Sequence, residues 1–439
     1  MPRFVKVQTN FAVGEINPEL RGRIDLQQYE SALERARNVI CKPQGSVERR
    51  PGLKYIYTVP SAASPSDGVR LVPFSFSTTQ TYMLLFSGTR MMVFKEGVQV
   101  TDINGGGNDY LDVSSSVGGV TDGITSARLT NLWYTQSADT LLLFEETMTP
   151  LKIVRGANHA AWTVSDISFD NVPQYAFTLA TSNPSATLTP SAVTGEITLT
   201  AGSSVFSSGH VGQFVESNDN FGRAKITRYV SGTEVKATTE VAFFSTDAIA
   251  SGSWTLETGY EAAWASSKGW PRCAVFHEGR LIVGGSQSLP STVWGSRVGD
   301  YFDFDEGRAL DDEGMSATID TNQVNAIVGV FSGRDLQIFT TGTEFICPQI
   351  DGSPLTPTSF IFKPMTTRGS KGGTQPVSTE GGTLYLQRGG KAIREFLFSD
   401  VEGSYVSNDI SLLSSHLLQT PTRMAMRRGT NVDEGDLMF

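Results

Sequence analysis

Clustered carboxylates are the first residues in this sequence that could do chemistry. DYFDFDEG (300–307) and LDDEG (310–314) bring Asp303, Asp305, Asp311 and Asp312 close together along the chain. Two carboxylates facing each other across a sugar are the machinery of glycoside hydrolysis. The spacing offers no means of pairing these acids across a substrate, and no Ser-x-Asp-x-Gly-x-x-Trp box accompanies them. They read more simply as loop residues that cap turns and aid solubility. His159, His210, His277 and His416 stand in unrelated contexts, with no HxH, HExxH or HxxxH pair to hold a metal. Cys41, Cys273 and Cys347 form no CxxC pair, which excludes a sequence-evident zinc site and argues against a disulfide framework. No GxSxG nucleophile elbow is present. The glycines at 105–107 lack a following Lys-Ser/Thr, so they form a turn and not a phosphate loop. These absences give three expectations: no catalytic residues, no cofactor and no metal, hence a chain that is not an enzyme.

The elements that position these residues follow from composition and pattern. The chain has 439 residues, 39% of them hydrophobic, with 44 Gly and 19 Pro. That is enough apolar material for a core and many turns to fold it. No window approaches the 18 or so apolar residues of a membrane span, and residues 1–20 lack a signal-like apolar run. Net charge is −10, unevenly spread: residues 1–60 carry ten basic and six acidic residues, the remainder 25 and 39. A protein that grips nucleic acid shows a basic field over its main body; this body is acidic and should repel it.

One helix is expected. Leu26, Tyr29, Leu33, Ala36 and Ile40 fall on one helical face over about 26–40, with Asp25 as cap and Pro43 and Gly45 as stops. After residue 50 the texture becomes hairpins. TYMLLFSGTRMMVFKEG (81–97), DTLLLFEETMTPLKIVRG (139–156), GRLIVGGSQSLPSTVWGS (279–296), RDLQIFTTGTEFICPQ (334–349) and GTLYLQRGGKAIREFLFS (382–399) share one form. Their anchor residues Leu84, Leu142, Leu281, Leu336 and Leu384 are separated by 58, 139, 55 and 48 positions. Small antiparallel sheets recurring every 50 or so residues are the signature of a β-propeller.

The long gap asks for an insertion of some 80 residues. Within 175–257, GEITLTAG, GQFVESNDN, GRAKITRYVSGTEVKATTEV and GSWTLET alternate apolar and polar residues with period two, as half-buried strands do. The expected organisation is therefore an N-terminal arm and helix (1–60), a propeller body (61–174 and 258–439) and a small inserted β-barrel or sandwich (175–257). The final residues, RMAMRRGTNVDEGDLMF, read as a strand, a turn and the start of a second strand. An open sheet edge exposes unpaired amides and carbonyls, so closure is expected from the N-terminal strands, another subunit or further chain.

The arm carries the most specific pattern. GEINPELRGRIDLQQY (14–29) holds Gly14, Glu15, Pro18, Leu20, Gly22, Arg23, Asp25, Leu26 and Tyr29, and PQGSVERRPGLKYI (43–56) holds Gly45, Arg50, Pro51 and Gly52. These stretches resemble the N-terminal pattern of the tail nozzle or tail tubular protein B family of short-tailed bacteriophages. The blocks at 275–304 and 367–396 are similar to the same family. The resemblance implies a structural protein of the virion tail, assembled in the host cytoplasm. It implies a ring of copies of itself, six in number, beneath the portal and tail adaptor. The ring would line the channel through which double-stranded DNA leaves and help retain packaged DNA, without a membrane partner.

The residues fit that implication in one respect. The arm has too few apolar side chains to bury itself, so its partners are expected in other polypeptides. Gly14, Glu15, Pro18, Leu20, Arg21, Arg23, Arg49 and Arg50 are the candidate subunit and adaptor contacts, the arginines as bidentate partners of carboxylates. The competing reading is a propeller-type tail protein that acts on carbohydrate or binds a receptor.

Overall fold

The computed structural model describes residues 7–64, 66, 68–178, 184–217, 219–306, 309–349, 353–429 and 437–438. All five hairpins form, and each is the middle of a sheet of at least four antiparallel strands. Blade 1 comprises Val69–Ser77, Gln80–Ser87, Arg90–Lys95 and Val98–Gln99, with Leu111–Asp112 added beside the third strand. Blade 2 is Trp133–Ser137, Thr140–Glu145, Met148–Arg155 and Trp162–Asp166. Blade 3 is Cys273–His277, Arg280–Gly284, Thr292–Gly295 and Met315–Thr318. Blade 4 is Ile327–Ser332, Leu336–Thr340, Glu344–Cys347 and Lys363–Thr366. Blade 5 is Val377–Ser378, Gly382–Leu386, Ile393–Ser399 and Ser404–Asp409.

Burial explains the pattern of each strand. All five anchor leucines are buried. Leu141 to Glu145 are buried without interruption, as are Arg280 to Gly284 and Leu336 to Thr340. A strand covered on both faces reads as a continuous apolar run and not as an alternation. The first strand of blade 1 instead alternates exposed and buried residues from Val69 to Phe74, because one of its faces is open. The tight turns are set by backbone chemistry. Glu96 and Gly97, and Glu278 and Gly279, all have positive φ. That is the two-residue turn whose twist matches paired strands.

The first strands of the blades converge. The Trp133 indole of blade 2 is buried and donates to the Ala274 carbonyl of blade 3 at 2.7 Å. A Cβ placed on Gly329 of blade 4 would sit 3.0 Å from the Trp133 ring and 3.6 Å from Pro376, just ahead of blade 5. The Gln375 amide donates to the Tyr134 carbonyl at 2.9 Å. Gln136 closes a two-way pair with the Ser75 backbone of blade 1, at 3.0 and 2.8 Å. Inner strands meeting in this way, with outer strands fanned away from them, make a β-propeller, with five blades among the described residues.

The outward faces of the end blades are covered by extended chain. Tyr57 and Val59 pack on Leu85, Met92 and Phe94 of blade 1. Leu418, Met424 and Met426 pack on Leu384, Leu386 and Ile393 of blade 5. Arg423 pins the latter segment by donating to the Gly373 and Leu129 carbonyls, at 2.9 and 2.8 Å. Met426–Arg427 pairs with Leu437–Met438; residues 430–436 of that expected turn lie outside the described residues.

The helix expected over 26–40 does not form. Gln27–Ser31 is a short 3-10 helix, and Ala32–Leu33 and Val39–Cys41 are strands. Three local competitors explain the correction. The Asp25 carboxylate is held by Arg23 at 2.8 and 2.6 Å and does not cap. Ala32–Leu33 pairs in parallel with Gly14–Glu15. The Ala36 amide, which a helix would turn inward, donates to the Glu15 carboxylate at 2.7 Å.

Residues 172–263 form a second compact unit. Its main sheet has six strands in the order Leu188–Pro190, Glu196–Ala201, Glu234–Val241, Arg223–Ser231, Phe214–Ser217 and Trp254–Glu257. A separate two-stranded pair joins Gln174–Thr178 to Gly259–Ala262. Period-two alternation places Leu188, Ile197, Leu199, Val215, Ile226, Val235 and Trp254 in one core. The fold class is therefore mainly β, a propeller carrying a small inserted β-domain.

One buried carboxyl makes the inserted unit sensitive to pH. Glu257 is 1% exposed, and burial first, then the neighbouring Glu216 carboxyl, push its pKa up to about 7. Its folded pKa thus lies above the ordinary value of 4.5. The associated stability is complete below pH 4.5 and is lost as pH rises through 7. Calorimetry of the full chain should show this unit's unfolding temperature falling between pH 5 and pH 8. Glu257→Gln should flatten that fall and raise the transition at pH 8; a wild-type transition that climbs over this range contradicts the assignment.

Candidate functional site

The arm divides into a part fastened to its own chain and a part that is not. Gly14, with φ of +74°, turns the backbone so that Gly14–Glu15 can pair with Ala32–Leu33. Ile16 is buried. The Asn17 amide donates to the Leu413 carbonyl at 2.7 Å, and its side chain reaches Ser415 at 3.1 Å. Ser414 donates to the Glu15 carbonyl at 2.7 Å. The Glu15 carboxylate lies 3.0 Å from His416. The Ala36 amide, followed by His416, holds the Glu15 carboxyl below the ordinary carboxylate value of 4.5. The expectation that the whole arm finds its partners in other polypeptides is therefore corrected for residues 14–17. They use residues 413–416, some 400 positions away, and no local pattern signals that pairing.

The remaining candidate residues are not drawn into that contact. Pro18 starts the short 3-10 helix Pro18–Leu20, capped by the Asn17 side chain. Arg21 pairs with Glu34 at 3.2 Å and Arg23 with Asp25 at 2.6 Å, and all four side chains are more than half exposed. Pairs so exposed contribute little to stability, about 0–1 kcal/mol. Arg49 and Arg50 are exposed and make no ion pair or side-chain hydrogen bond among the described residues. They lie in a run, residues 46–56, in which every residue is exposed. Leu53 is 87% and Tyr55 75% exposed, with Ile56 and Ile24 also open to solvent.

The acidic loops serve a structural end. Asp303 is buried and accepts from the Asn171 side chain and the Asp305 amide, each at 2.9 Å. The carbonyls of Ser296, Asp311 and Glu313 converge on the Arg280 guanidinium, which is 1% exposed. Asp312 lies at the edge of this loop, 4.0 Å from Arg297. No group of three or more His, Cys, Asp or Glu that could hold a metal occurs among the described residues.

One polar pair escaped sequence reasoning. His277, at the end of the first strand of blade 3, places Nδ1 2.8 Å from the Ser332 hydroxyl of blade 4. Burial lowers the His277 pKa, so its imidazole is neutral at pH 7. A neutral imidazole beside a hydroxyl is an arrangement that can accept the hydroxyl proton. The two residues are 55 positions apart, and only the packing of neighbouring blades unites them.

No protein-family model and no curated protein matches the chain. Solved structures do. A candidate 6-phosphogluconolactonase of Bacteroides fragilis is 11% identical with a TM-score of 0.31, covering 77% of this chain and 82% of its own. The β-propeller domain of Cps50 (Swd1) from Myceliophteria thermophila is 11% identical with a TM-score of 0.31, covering 77% and 88%. Hsv2 of Kluyveromyces lactis is 9% identical with a TM-score of 0.30, covering 75% and 82%. Likeness at this level assigns no activity. It does correct the expectation that the chain is not an enzyme. Candidate lactonases from B. fragilis and Bacteroides uniformis stand among the matched structures.

The Glu15 clamp gives a direct prediction. A carboxyl with a lowered folded pKa contributes stability above its ordinary value of 4.5 and loses it as pH falls below that value. Limited proteolysis should therefore release residues 7–23 faster at pH 3.5 than at pH 7. Glu15→Gln should give the fast rate already at pH 7. Equal cleavage of wild type and variant at pH 7 would show that the carboxylate does not hold the arm.

Proposed function

We propose that this chain is a structural subunit of a short-tailed bacteriophage tail. In this reading copies of it form a ring, six to a turn, beneath the portal and adaptor and around the path of exiting duplex DNA. The observation that carries the reading is the exposed run 46–56. Arg49, Arg50, Leu53, Tyr55 and Ile56 stand in solvent together, inside the RPG segment that resembles the tail family. Cations and large apolar side chains exposed side by side mark a surface made for another protein. The fastened part, residues 14–17, then acts as the anchor that presents this run.

Charge supports the same reading. Residues 61–439 carry 25 basic and 39 acidic side chains. Duplex DNA carries one negative charge per about 1.7 Å of axis, and an acidic wall lets it pass without holding it. The positive arm faces protein in this arrangement and the acidic body faces the conduit.

Native mass spectrometry of the chain mixed with its tail adaptor tests the proposal. The wild type should give a closed ring of six copies. The double variant Arg49→Glu, Arg50→Glu should abolish that ring while its melting temperature stays within a degree or two, since surface substitutions of this kind cost at most about 0.5 kcal/mol. A chain that stays monomeric with the adaptor, or a variant that assembles like wild type, would contradict it.

A further inference from the structure

One end of the inserted unit carries apolar side chains that its own core does not use. Two segments meet there. The Phe244 amide donates to the Asn220 carbonyl at 2.9 Å. Arg223 and Val241 are paired where the strands Arg223–Ser231 and Glu234–Val241 come together. Phe221 is 74%, Phe244 84% and Val241 48% exposed. Large apolar side chains gathered in solvent mark an interaction surface.

The backbone beneath these rings is fixed. Asn220 is buried, and its side chain closes a two-way pair with the Ser245 backbone, at 2.9 and 2.8 Å. Phe243, one residue before Phe244, lies in the core. Its ring packs against Gly222, where a Cβ would come within 2.1 Å of it. Phe221 itself has a φ of +52°, a region that is costly for a bulky residue. Held on both sides, it keeps its ring in solvent at that cost. A surface fixed in advance loses little freedom when a partner arrives.

Charge selects the occupant. Asp219, Glu240 and Asp247 are exposed, and among the described residues none of their carboxylates has an ion pair or a hydrogen bond. The one basic residue in 219–223 and 239–247 is Arg223, which pairs with Glu216 at 3.4 Å. Such a rim repels an anionic lipid surface and suits a partner that is basic and apolar together. The run 46–56 has that make-up. Its Glu48 pairs with Lys42 at 2.6 Å, which leaves Arg49, Arg50 and Lys54 as cations beside Leu53, Tyr55 and Ile56. Within its own chain the run stays open to solvent. Two different patches of one chain that fit each other make a head-to-tail contact, the kind that closes into a ring. We propose that the run 46–56 of one copy docks on the Phe221 and Phe244 surface of a second copy of this chain. The inference rests on the ring reading above and names the acceptor surface within it.

Photocrosslinking between copies tests the proposal. Unlabelled full chain carrying benzoylphenylalanine in place of Tyr55 is mixed with isotope-labelled wild type, assembled with the tail adaptor and irradiated. Peptides of mixed label should join residue 55 to 219–223 or 241–247. The double variant Phe221→Ser, Phe244→Ser should weaken ring assembly at least about tenfold, as loss of an interface anchor does, with its melting temperature within a degree or two of wild type. Asp219→Lys with Glu240→Lys should weaken it too, and adding Arg49→Glu with Arg50→Glu should restore it. Crosslinks that stay within one copy, or that reach only the propeller or the adaptor, would overturn the proposal, as would failure of the charge reversal to rescue. A ring that forms in wild type and equally in the phenylalanine variant overturns this inference and leaves the ring reading standing. A chain that forms no ring with its adaptor overturns both.

Discussion

Everything in the propeller depends on a small volume where the first strands of the blades meet. Trp133 occupies it, donating across to Ala274 and packing beside Gly329. Only glycine lets a neighbouring strand approach the indole this closely; any Cβ at 329 would already be 3.0 Å from the ring. Because the inner strands are tied there, the second and third strands of blades 2, 3 and 4 are pressed between neighbours, which is why their residues are buried on both faces. The His277–Ser332 pair is a consequence of the same packing of neighbouring blades.

The arm obeys a different constraint. A segment with few apolar residues cannot make a core, and it can be ordered only by borrowing surface from something already folded. Residues 14–17 borrow it from 413–416 through one carboxylate and three backbone or hydroxyl contacts. Residues 46–56 pair Val47–Arg49 with Val39–Cys41 of the arm itself and leave every one of their residues open to solvent. The contrast between the two parts ties the fold to the proposed function. The first part fixes where the arm leaves the propeller, and the second is left to meet a partner.

How much of this was legible in the sequence follows from the range of each interaction. The hairpins were legible because alternating apolar runs and turn residues such as Glu278 and Gly279 act over a few positions. The inserted unit was legible in the spacing of the leucine anchors, whose one long interval had to hold extra structure. The helix was misread because periodicity at Leu26, Tyr29 and Leu33 says nothing of Glu15, whose carboxylate takes the Ala36 amide. The partners His416 for Glu15 and Ser332 for His277 lie 401 and 55 positions apart. Contacts at such separations leave no trace in local pattern, so a candidate site built from them is visible only in the folded chain.

Hydrogen–deuterium exchange across residues 46–56, in the isolated chain and in assembled tails, tests the central claim most directly. The account predicts complete exchange within seconds at 52–56 in the isolated chain, beyond the strand Val47–Arg49 that pairs with Val39–Cys41, and strong protection in the assembly, with 14–17 protected in both. Protection of 46–56 that is the same in the two states would contradict it.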